Sequence, residues 1–205
     1  GDPVPDSVGA LLPARALVVA ADSGLDVARR MGIVVDLVVG DFYSADPSSL
    51  SAALAEGARL ERHPVAKDAT DLELALEAVL RLGRSPVVVV GGAGWDRLDH
   101  LLANALLVAA PRYAPLHLRW LVKGAEVIPV HDHLDLRGAP GDLVTLLAAG
   151  GPVAGVVTTG LRWPLRSDTL TPGSTRGVSN EMVGASASVS LTEGVLVLIH
   201  TRRKS

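Results

Sequence analysis

Hydrophobic residues in the first part of the chain form short continuous runs that alternate with stretches of helical spacing. Runs such as 87–90 are typical of strands that a parallel sheet buries on both faces. Between the runs, apolar residues recur at three- and four-residue intervals, the period of an amphipathic helix. The predicted strands are 16–21, 36–39, 60–65, 87–90 and 116–122, and the predicted helices cover 25–31, 47–56, 72–80 and 98–106.

The pattern changes after residue 123. Short apolar segments are now separated by Gly, Pro, Asp and Ser, and no helical period lies between them. Strands alternating with helices indicate a parallel sheet, whereas a run of short strands indicates an antiparallel sandwich. We therefore predict an α/β domain over 1–123 and an all-β sandwich domain over 124–205. The predicted strands of the second domain are 126–130, 143–147, 153–158, 185–191 and 195–200.

Acidic residues follow the predicted strands of the first domain. Asp22, Asp41 and Asp68 each come just after a strand, and the glycine-rich turn 91–94 follows the run 87–90. In open α/β sheets, ligands bind outside the carboxyl ends of the strands, where the loops converge. Carboxylates gathered there suit Mg²⁺, which prefers hard oxygen ligands. The sequence thus predicts a site for a magnesium-bound nucleotide.

Some of these polar residues also have a purely structural interpretation. Thr70 and Glu73 have the spacing of a capping box at a helix start, and Asp96 suits an N-cap. The turn 91–94 lacks the Lys and Ser/Thr of a P-loop and does not have Rossmann spacing. His131 and His133 share a face of an extended segment, but without a third ligand nearby we interpret them as surface residues.

Composition narrows the function classes. The net charge is −3 and the only basic run is at the very end of the chain, so we expect no nucleic-acid partner. Cysteine is absent, which fits a reducing compartment. No apolar run approaches the roughly 18–20 residues that span a bilayer. We therefore expect a cytoplasmic protein that does not bind a membrane.

Six strings of the sequence, in this order, resemble the thiamine pyrophosphokinase (thiamine diphosphokinase) family. They are ADSGLD (21–26), DLVVGDFYS (36–44), KDATDLELAL (67–76), GGAGWDRLDHLLAN (91–104), TTGLRWPL (158–165) and GVSNE (177–181). The resemblance implies an α/β nucleotide-binding domain followed by a β-sandwich that binds thiamine and forms a homodimer. It also implies transfer of pyrophosphate from Mg–ATP to the hydroxyethyl group of thiamine, with release of AMP.

The strand-end pattern, the chemistry of the side chains and the resemblance together assign residues to three groups. Catalytic acids are Asp41, Asp68, Asp71 and Asp99, of which Asp41, Asp68 and Asp71 are expected to ligate Mg²⁺. Thiamine is expected to lie near Trp163, Ser179 and Asn180. The ATP-binding residues are Asp22, Ser23, Gly24, Lys67, Gly91, Gly92, Gly94, Arg97 and His100.

Three features depart from the family pattern. Tyr43 stands where the motif GDFDS has its second carboxylate, and a phenol is neutral near pH 7 and a poor Mg²⁺ ligand. Trp95 stands where a small residue is common. The opening Gly1-Asp2-Pro3 resembles the turn after the family's first strand, so we expect that strand to precede it.

Two alternatives to this enzyme therefore stay open. The first, motivated by Tyr43, is a non-catalytic protein that binds thiamine or a nucleotide. The second is a diphosphokinase with another acceptor, such as a hydroxymethylpterin. Trp163 and the pair Ser179-Asn180 favour thiamine over a pterin.

Overall fold

The computed structural model describes residues 16–42, 45–66, 68–92 and 97–203. The chain divides into two compact units, Gly1–Arg84 with Gly91–His100, and Ser85–Val90 with Leu101–Ser205. The described helices are α1 (Gly24–Arg30), α2 (Pro47–Ala55), α3 (Asp71–Arg81) and α4 (Leu98–Val108), and a 3₁₀ helix covers Pro111–Leu116. The described strands of the first unit are β1 (Val19–Ala21), β2 (Leu37–Gly40) and β3 (Arg59–Arg62).

A parallel sheet with the strand order β1-β2-β3 forms the centre of the first unit. Alternate residues of β2 face opposite sides of it. Val38 packs in a cluster with residues of α1 and α2, while Leu37 and Val39 pack against α3. Both faces of β2 are thus buried by helices, which explains why its sequence is continuously apolar.

Two helix starts in this unit are fixed by side chains. The Thr70 hydroxyl accepts a hydrogen bond from the Glu73 amide at 3.3 Å, and Asp46 caps α2 by accepting from the Ser49 amide at 2.9 Å. The first contact confirms that Thr70 is the N-cap of α3. Asp71 therefore begins that helix, at the edge of the sheet where β1 and β2 end.

Two sheets form the second unit. One has four antiparallel strands in the order β10-β9-β12-β7, and the other has six strands in the order β11-β8-β13-β6-β5-β4. Only β4 and β5 pair in parallel in the second sheet, and α4 connects them along the chain. The strands are β4 (Val88–Val90), β5 (Arg119–Val122), β6 (Ala125–Val130), β7 (His133–Arg137), β8 (Leu143–Ala148), β9 (Val153–Thr159), β10 (Arg166–Leu170), β11 (Asn180–Glu181), β12 (Ser186–Ser190) and β13 (Leu196–Thr201).

One buried cluster takes side chains from both of these sheets. Val144 of β8 and Leu198 of β13 come from the six-stranded sheet, while Val156 of β9 and Val189 of β12 come from the four-stranded sheet. A core between two packed sheets is what the predicted sandwich requires. The prediction of a parallel α/β part followed by antiparallel strands is confirmed.

The predicted domain limits of 1–123 and 124–205 stay a prediction. Strands on either side of residue 123 pair with each other, since β5 is antiparallel to β6. The compact units accordingly group β4 and β5 with the later strands. Within the described ranges, no helix is long and apolar enough to cross a membrane.

Candidate active site

Three of the predicted acids lie close together at the carboxyl edge of the β1-β2-β3 sheet. Gly40 ends β2 and has no side chain, and a Cβ built on it would lie 3.1 Å from Asp71 Oδ1 and 3.3 Å from the Cβ of Asp22. Asp41 follows Gly40 directly in the chain. Asp22 and Asp71 are therefore brought together at the end of β2, directly beside Asp41 in the chain.

The backbone at this point is shaped by positive φ angles. Gly40 has φ +151°, and Asp22 has φ 45° while its amide donates to the Val39 carbonyl at 2.9 Å. Phe42 has φ 63°, which is uncommon for an aromatic residue and is found mostly where a site constrains the chain. A glycine at position 40 gives both carboxylate side chains the room to approach the strand end.

Arg62 adds a cation that the sequence analysis did not single out. It is paired in register with Gly40, and its guanidinium carbon lies 4.9 Å from the centroid of the Phe42 ring. Stacking of this kind orients the guanidinium while leaving its N–H groups available. The predicted strand 60–65 contains Arg62, but its sequence does not indicate that the strand ends there, beside Phe42.

The other predicted nucleotide-binding residues do not show comparably close contacts with the end of β2. Asp68 is exposed in the segment before α3, and Ser23 is the N-cap of α1 without a side-chain capping bond. Gly91 and Gly92 both have φ 76° and directly follow β4, and His100 is exposed in the first turn of α4. Lys67 and Gly94, together with Tyr43, Trp95 and Asp96, lie outside the described residues.

Arg97 and Asp99 form a two-point ion pair. Arg97 Nε donates to Asp99 Oδ1 at 2.9 Å and Nη2 donates to Oδ2 at 2.7 Å. The hydrogen bonds from Arg97 lower the pKa of Asp99 to about 2. Both side chains are exposed, so the pair is screened by solvent. In this arrangement Arg97 neutralises Asp99, and a phosphate that binds Arg97 has to compete with that carboxylate.

We expect the Asp99 carboxyl to titrate near pH 2 in ¹³C NMR, and to return toward the ordinary value of 3.8 in Arg97→Gln. Because the folded-state pKa is lowered, the pair stabilises the fold above the unfolded-state pKa and is lost as the pH falls toward 2. An unshifted Asp99 pKa in the wild-type protein would contradict the observed pairing.

In the second unit, the predicted thiamine residues Trp163 and Asn180 are held together by reciprocal hydrogen bonds. Asn180 Oδ1 accepts from the Trp163 amide at 3.1 Å, and Asn180 Nδ2 donates to the Trp163 carbonyl at 2.7 Å. The indole is 55% exposed. Asn180 therefore fixes the backbone that presents an accessible aromatic ring.

Neighbouring residues secure both sides of this contact. Ser179 has φ 59° and its amide donates to the Thr145 hydroxyl at 3.0 Å. The Arg162 guanidinium lies 5.2 Å from the Trp163 ring centroid and pairs with Glu181 at 2.9 Å. One face of the indole is thus covered by a neutralised cation, a role for Arg162 that no sequence pattern indicated.

Comparison with known proteins identifies the family of the chain. Residues 8–118 match the family model for the thiamin pyrophosphokinase catalytic domain, and residues 131–196 match the model for the thiamin pyrophosphokinase vitamin B1 binding domain. Both matches define one class of protein, an enzyme with a catalytic segment followed by a vitamin-binding segment. The chain belongs to the thiamin pyrophosphokinase family.

Individual relatives cover nearly the whole chain. Thiamine pyrophosphokinase of Bacillus subtilis (strain 168) is 24% identical over 97% of this chain and 92% of its own length. The solved structure of the Bacillus subtilis protein has a TM-score of 0.84 at 23% identity, covering 98% of this chain and 94% of that one. Thiamin pyrophosphokinase from Candida albicans has a TM-score of 0.75 at 12% identity, covering 92% and 82%. The structural likenesses show that the mixed α/β fold is shared.

Proposed function

We propose that this protein transfers pyrophosphate from Mg–ATP to the hydroxyethyl group of thiamine, giving thiamine diphosphate and AMP. The observation that carries the proposal is the convergence of Asp22 and Asp71 on Gly40, beside Asp41, inside the segment matched as a catalytic domain. Membership of the thiamin pyrophosphokinase family indicates which reaction to expect. The carboxylates provide the negative oxygens that a magnesium-bound phosphate group requires.

The residues present suit a magnesium–nucleotide complex. Asp41, Asp68 and Asp71 offer carboxylate oxygens, the ligands that Mg²⁺ prefers. Among the described residues, no three His, Cys, Asp or Glu side chains are grouped closely enough to hold a metal alone. This fits Mg²⁺, which usually takes one or two carboxylates and completes its shell with water and substrate phosphates. When bound, the ion would neutralise charge on the phosphates.

On the donor side, we assign the nucleotide to the strand edge and the turn after β4. Arg62 and Arg97 are the described cations that suit phosphate oxygens, because a guanidinium binds them at two points. Lys67 and Gly94 keep the nucleotide-binding roles that the sequence analysis assigned to them. The remaining proposed nucleotide contacts are Asp22, Ser23, Gly24, Gly91, Gly92 and His100.

In the reaction, the thiamine hydroxyl oxygen forms a bond to the β-phosphorus. The bond between that phosphorus and the oxygen bridging to the α-phosphate breaks, and AMP leaves with the bonding electrons. The hydroxyl proton passes to one of the carboxylates Asp41, Asp68 or Asp71. Because little covalent chemistry falls to the protein, its contribution is positioning and electrostatic stabilisation.

On the acceptor side, we assign thiamine to the exposed indole of Trp163 and to Ser179 and Asn180. The ring offers a flat apolar surface, and the Asn180 amide fixes the backbone that carries it. Exposed Val178 and Val183 flank the same segment. A second copy of the chain covering these side chains would form the homodimer that the family resemblance implies, and we place the enzyme in the cytoplasm.

The test is an AMP-release assay in which ATP and Mg²⁺ are supplied with thiamine, with a hydroxymethylpterin or with no acceptor. We expect AMP and thiamine diphosphate to appear together, only with thiamine and only when Mg²⁺ is present. Absence of AMP while both ligands bind would leave a binding protein instead, and Tyr43→Asp would then be expected to create turnover. A preference for the pterin would change the acceptor but keep the reaction.

A further inference from the structure

A buried hydrogen bond between two side chains joins the last strand of the second unit to the turn before β8. His200 is 2% exposed and Asp142 is 3% exposed, and His200 Nε2 lies 3.0 Å from Asp142 Oδ2. Asp142 Oδ2 also accepts from the Ala139 amide at 2.9 Å, and Oδ1 accepts from the Arg203 amide at 2.9 Å. Both oxygens of this carboxylate are therefore satisfied inside the protein.

The charge state of Asp142 follows from these contacts. Burial by itself raises the pKa of Asp142, but the hydrogen bonds from the Arg203 and Ala139 amides and from His200 outweigh burial and hold that pKa below its ordinary value. The carboxylate is thus ionised at neutral pH, with donors aimed at it from three directions.

The same turn holds the backbone of the segment that carries Asn180. The Met182 amide donates to the Asp142 carbonyl at 2.9 Å, and the Gly141 amide donates to the Met182 carbonyl at 2.8 Å. Two residues earlier, Asn180 pairs with Val144 of β8 and bonds to the Trp163 backbone. Hydrogen bonds thus join His200 to Asp142 and Asp142 to Met182, the chain from Met182 leads back two residues to Asn180, and Asn180 bonds to the Trp163 backbone.

The packing around the pair leaves it little freedom. A Cβ on Gly138 would lie 2.6 Å from Met182 Sδ, 2.7 Å from Asp142 Oδ2 and 3.1 Å from His200 Nε2. The Met182 side chain is itself 2% exposed. Any shift of the Asp142 carboxylate must therefore move the turn 138–142 or Met182, because the space beside it is filled.

We propose that the Asp142–His200 pair is a positioning device that sets where Asn180 presents Trp163 to the acceptor. The inference rests on the proposed function, since it assigns Trp163 to thiamine. A buried ion pair is often replaceable by apolar residues without loss of stability. Here the Asp142 carboxylate also fixes the turn whose backbone bonds to Met182. Removing the Asp142–His200 contact should therefore displace the vitamin-binding segment in addition to lowering the stability of the fold.

The test compares His200→Leu, which removes the ring nitrogen, with His200→Gln, whose amide can still donate to Asp142. Val153→Ala is the matched control, because Val153 is fully buried in β9 and loses core packing without removing a hydrogen bond. For His200→Leu we expect the KM for thiamine to rise about tenfold or more, the loss typical of one buried hydrogen bond to a charged group. The KM for ATP should change by less than about twofold, and His200→Gln should recover most of the thiamine KM.

A second readout does not depend on turnover. Hydrogen exchange at the Met182 and Trp163 amides should speed up about tenfold in His200→Leu and stay near wild type in Val153→Ala. If His200→Leu fails to fold, Asp142→Asn, which keeps the size of the side chain, should show the same two effects. Equal changes in Val153→Ala at a similar loss of Tm, or parallel increases in both KM values, would overturn the positioning role.

Measurements on the wild-type protein distinguish a failure of this inference from a failure of the proposed function. A wild type that releases no AMP with thiamine counts against the proposed function, and amide exchange then still decides whether His200 positions the segment. An active wild type with variants unchanged in thiamine KM and in amide exchange counts against the positioning role alone.

Discussion

Replacing Asp71 with asparagine is expected to lower thiamine-dependent AMP release about 10²- to 10³-fold, the range typical of removing one positioned electrostatic group. Asp71 Oδ1 faces the end of β2 beside Asp22 and Asp41, so the substitution removes one negative oxygen from the point where the acids meet. The side chain keeps its shape. The loss should therefore appear chiefly in kcat and in the dependence on Mg²⁺ concentration, measured by AMP release at saturating thiamine.

Glu73→Gln is the matched control for this substitution. Both residues are acids in the first turn of α3, and each interacts favourably with the positive end of the helix dipole, worth about 0.3–1 kcal/mol. The two variants should lose similar stability in thermal unfolding, while only Asp71→Asn loses activity. Comparable activity losses would show that Asp71 acts by stabilising the helix start and would remove it from the proposed catalytic group.

The acids at Gly40 were predictable because parallel strands impose a simple rule. Each of Asp22 and Asp41 follows a short apolar run, and the carboxyl ends of parallel strands meet at one edge of the sheet. Their closeness therefore required only the correct prediction of the strands. Arg62 is at the same edge, but the predicted strand 60–65 continued past it, and its stacking on Phe42 depends on the folded backbone.

The apolar strands of the second unit were also predictable, whereas the polar ones were not. β8 and β13 match predicted segments closely, because a short, nearly continuous run of apolar residues indicates a buried strand. β7 (HLDLR) and β10 (RSDTL) are dominated by polar residues and lie at the two edges of the four-stranded sheet, where side chains can remain exposed. Their pairing is decided by neighbouring strands rather than by their own composition.

Contacts between residues that are distant in the chain could not be predicted from the sequence. Trp163 and Asn180 are 17 residues apart and were both assigned through the family resemblance, yet nothing in the sequence indicated that the amide of one holds the backbone of the other. Asp142 and His200 are 58 residues apart. Each has an ordinary appearance in the sequence, an acid in a turn and a histidine in a strand, and only folding brings them together.

Gly177 begins the string GVSNE, and its replacement by alanine is expected to have a large effect on the use of thiamine. A Cβ built on it would overlap the carbonyl oxygen of Leu146 and lie 3.1 Å from both the carbonyl carbon and the Cβ of that residue. The Leu146 amide donates to the Gly177 carbonyl at 2.8 Å, so the two backbones are in direct contact. Because Leu146 is on a strand paired on both sides, it cannot move away from an added methyl group.

Gly177→Ala is therefore expected to push the segment carrying Ser179 and Asn180 off β8 and to lower kcat/KM for thiamine about 100-fold, the loss that a displacement of roughly 1 Å produces. The KM for ATP should stay near wild type, because the acids at Gly40 belong to the other compact unit. Steady-state kinetics with each substrate varied in turn, together with calorimetric titration of thiamine, measures both effects.

Gly184→Ala is the control, since a Cβ at that nearby position meets no atom within 4 Å. It should bind thiamine as the wild type does. If Gly177→Ala folds with a similar Tm and retains its affinity for thiamine, the segment 177–181 does not position the acceptor, and the assignment of Ser179 and Asn180 to thiamine fails. If instead the affinity falls while ATP binding persists, the close approach of Gly177 to Leu146 is what holds the acceptor site in register with β8.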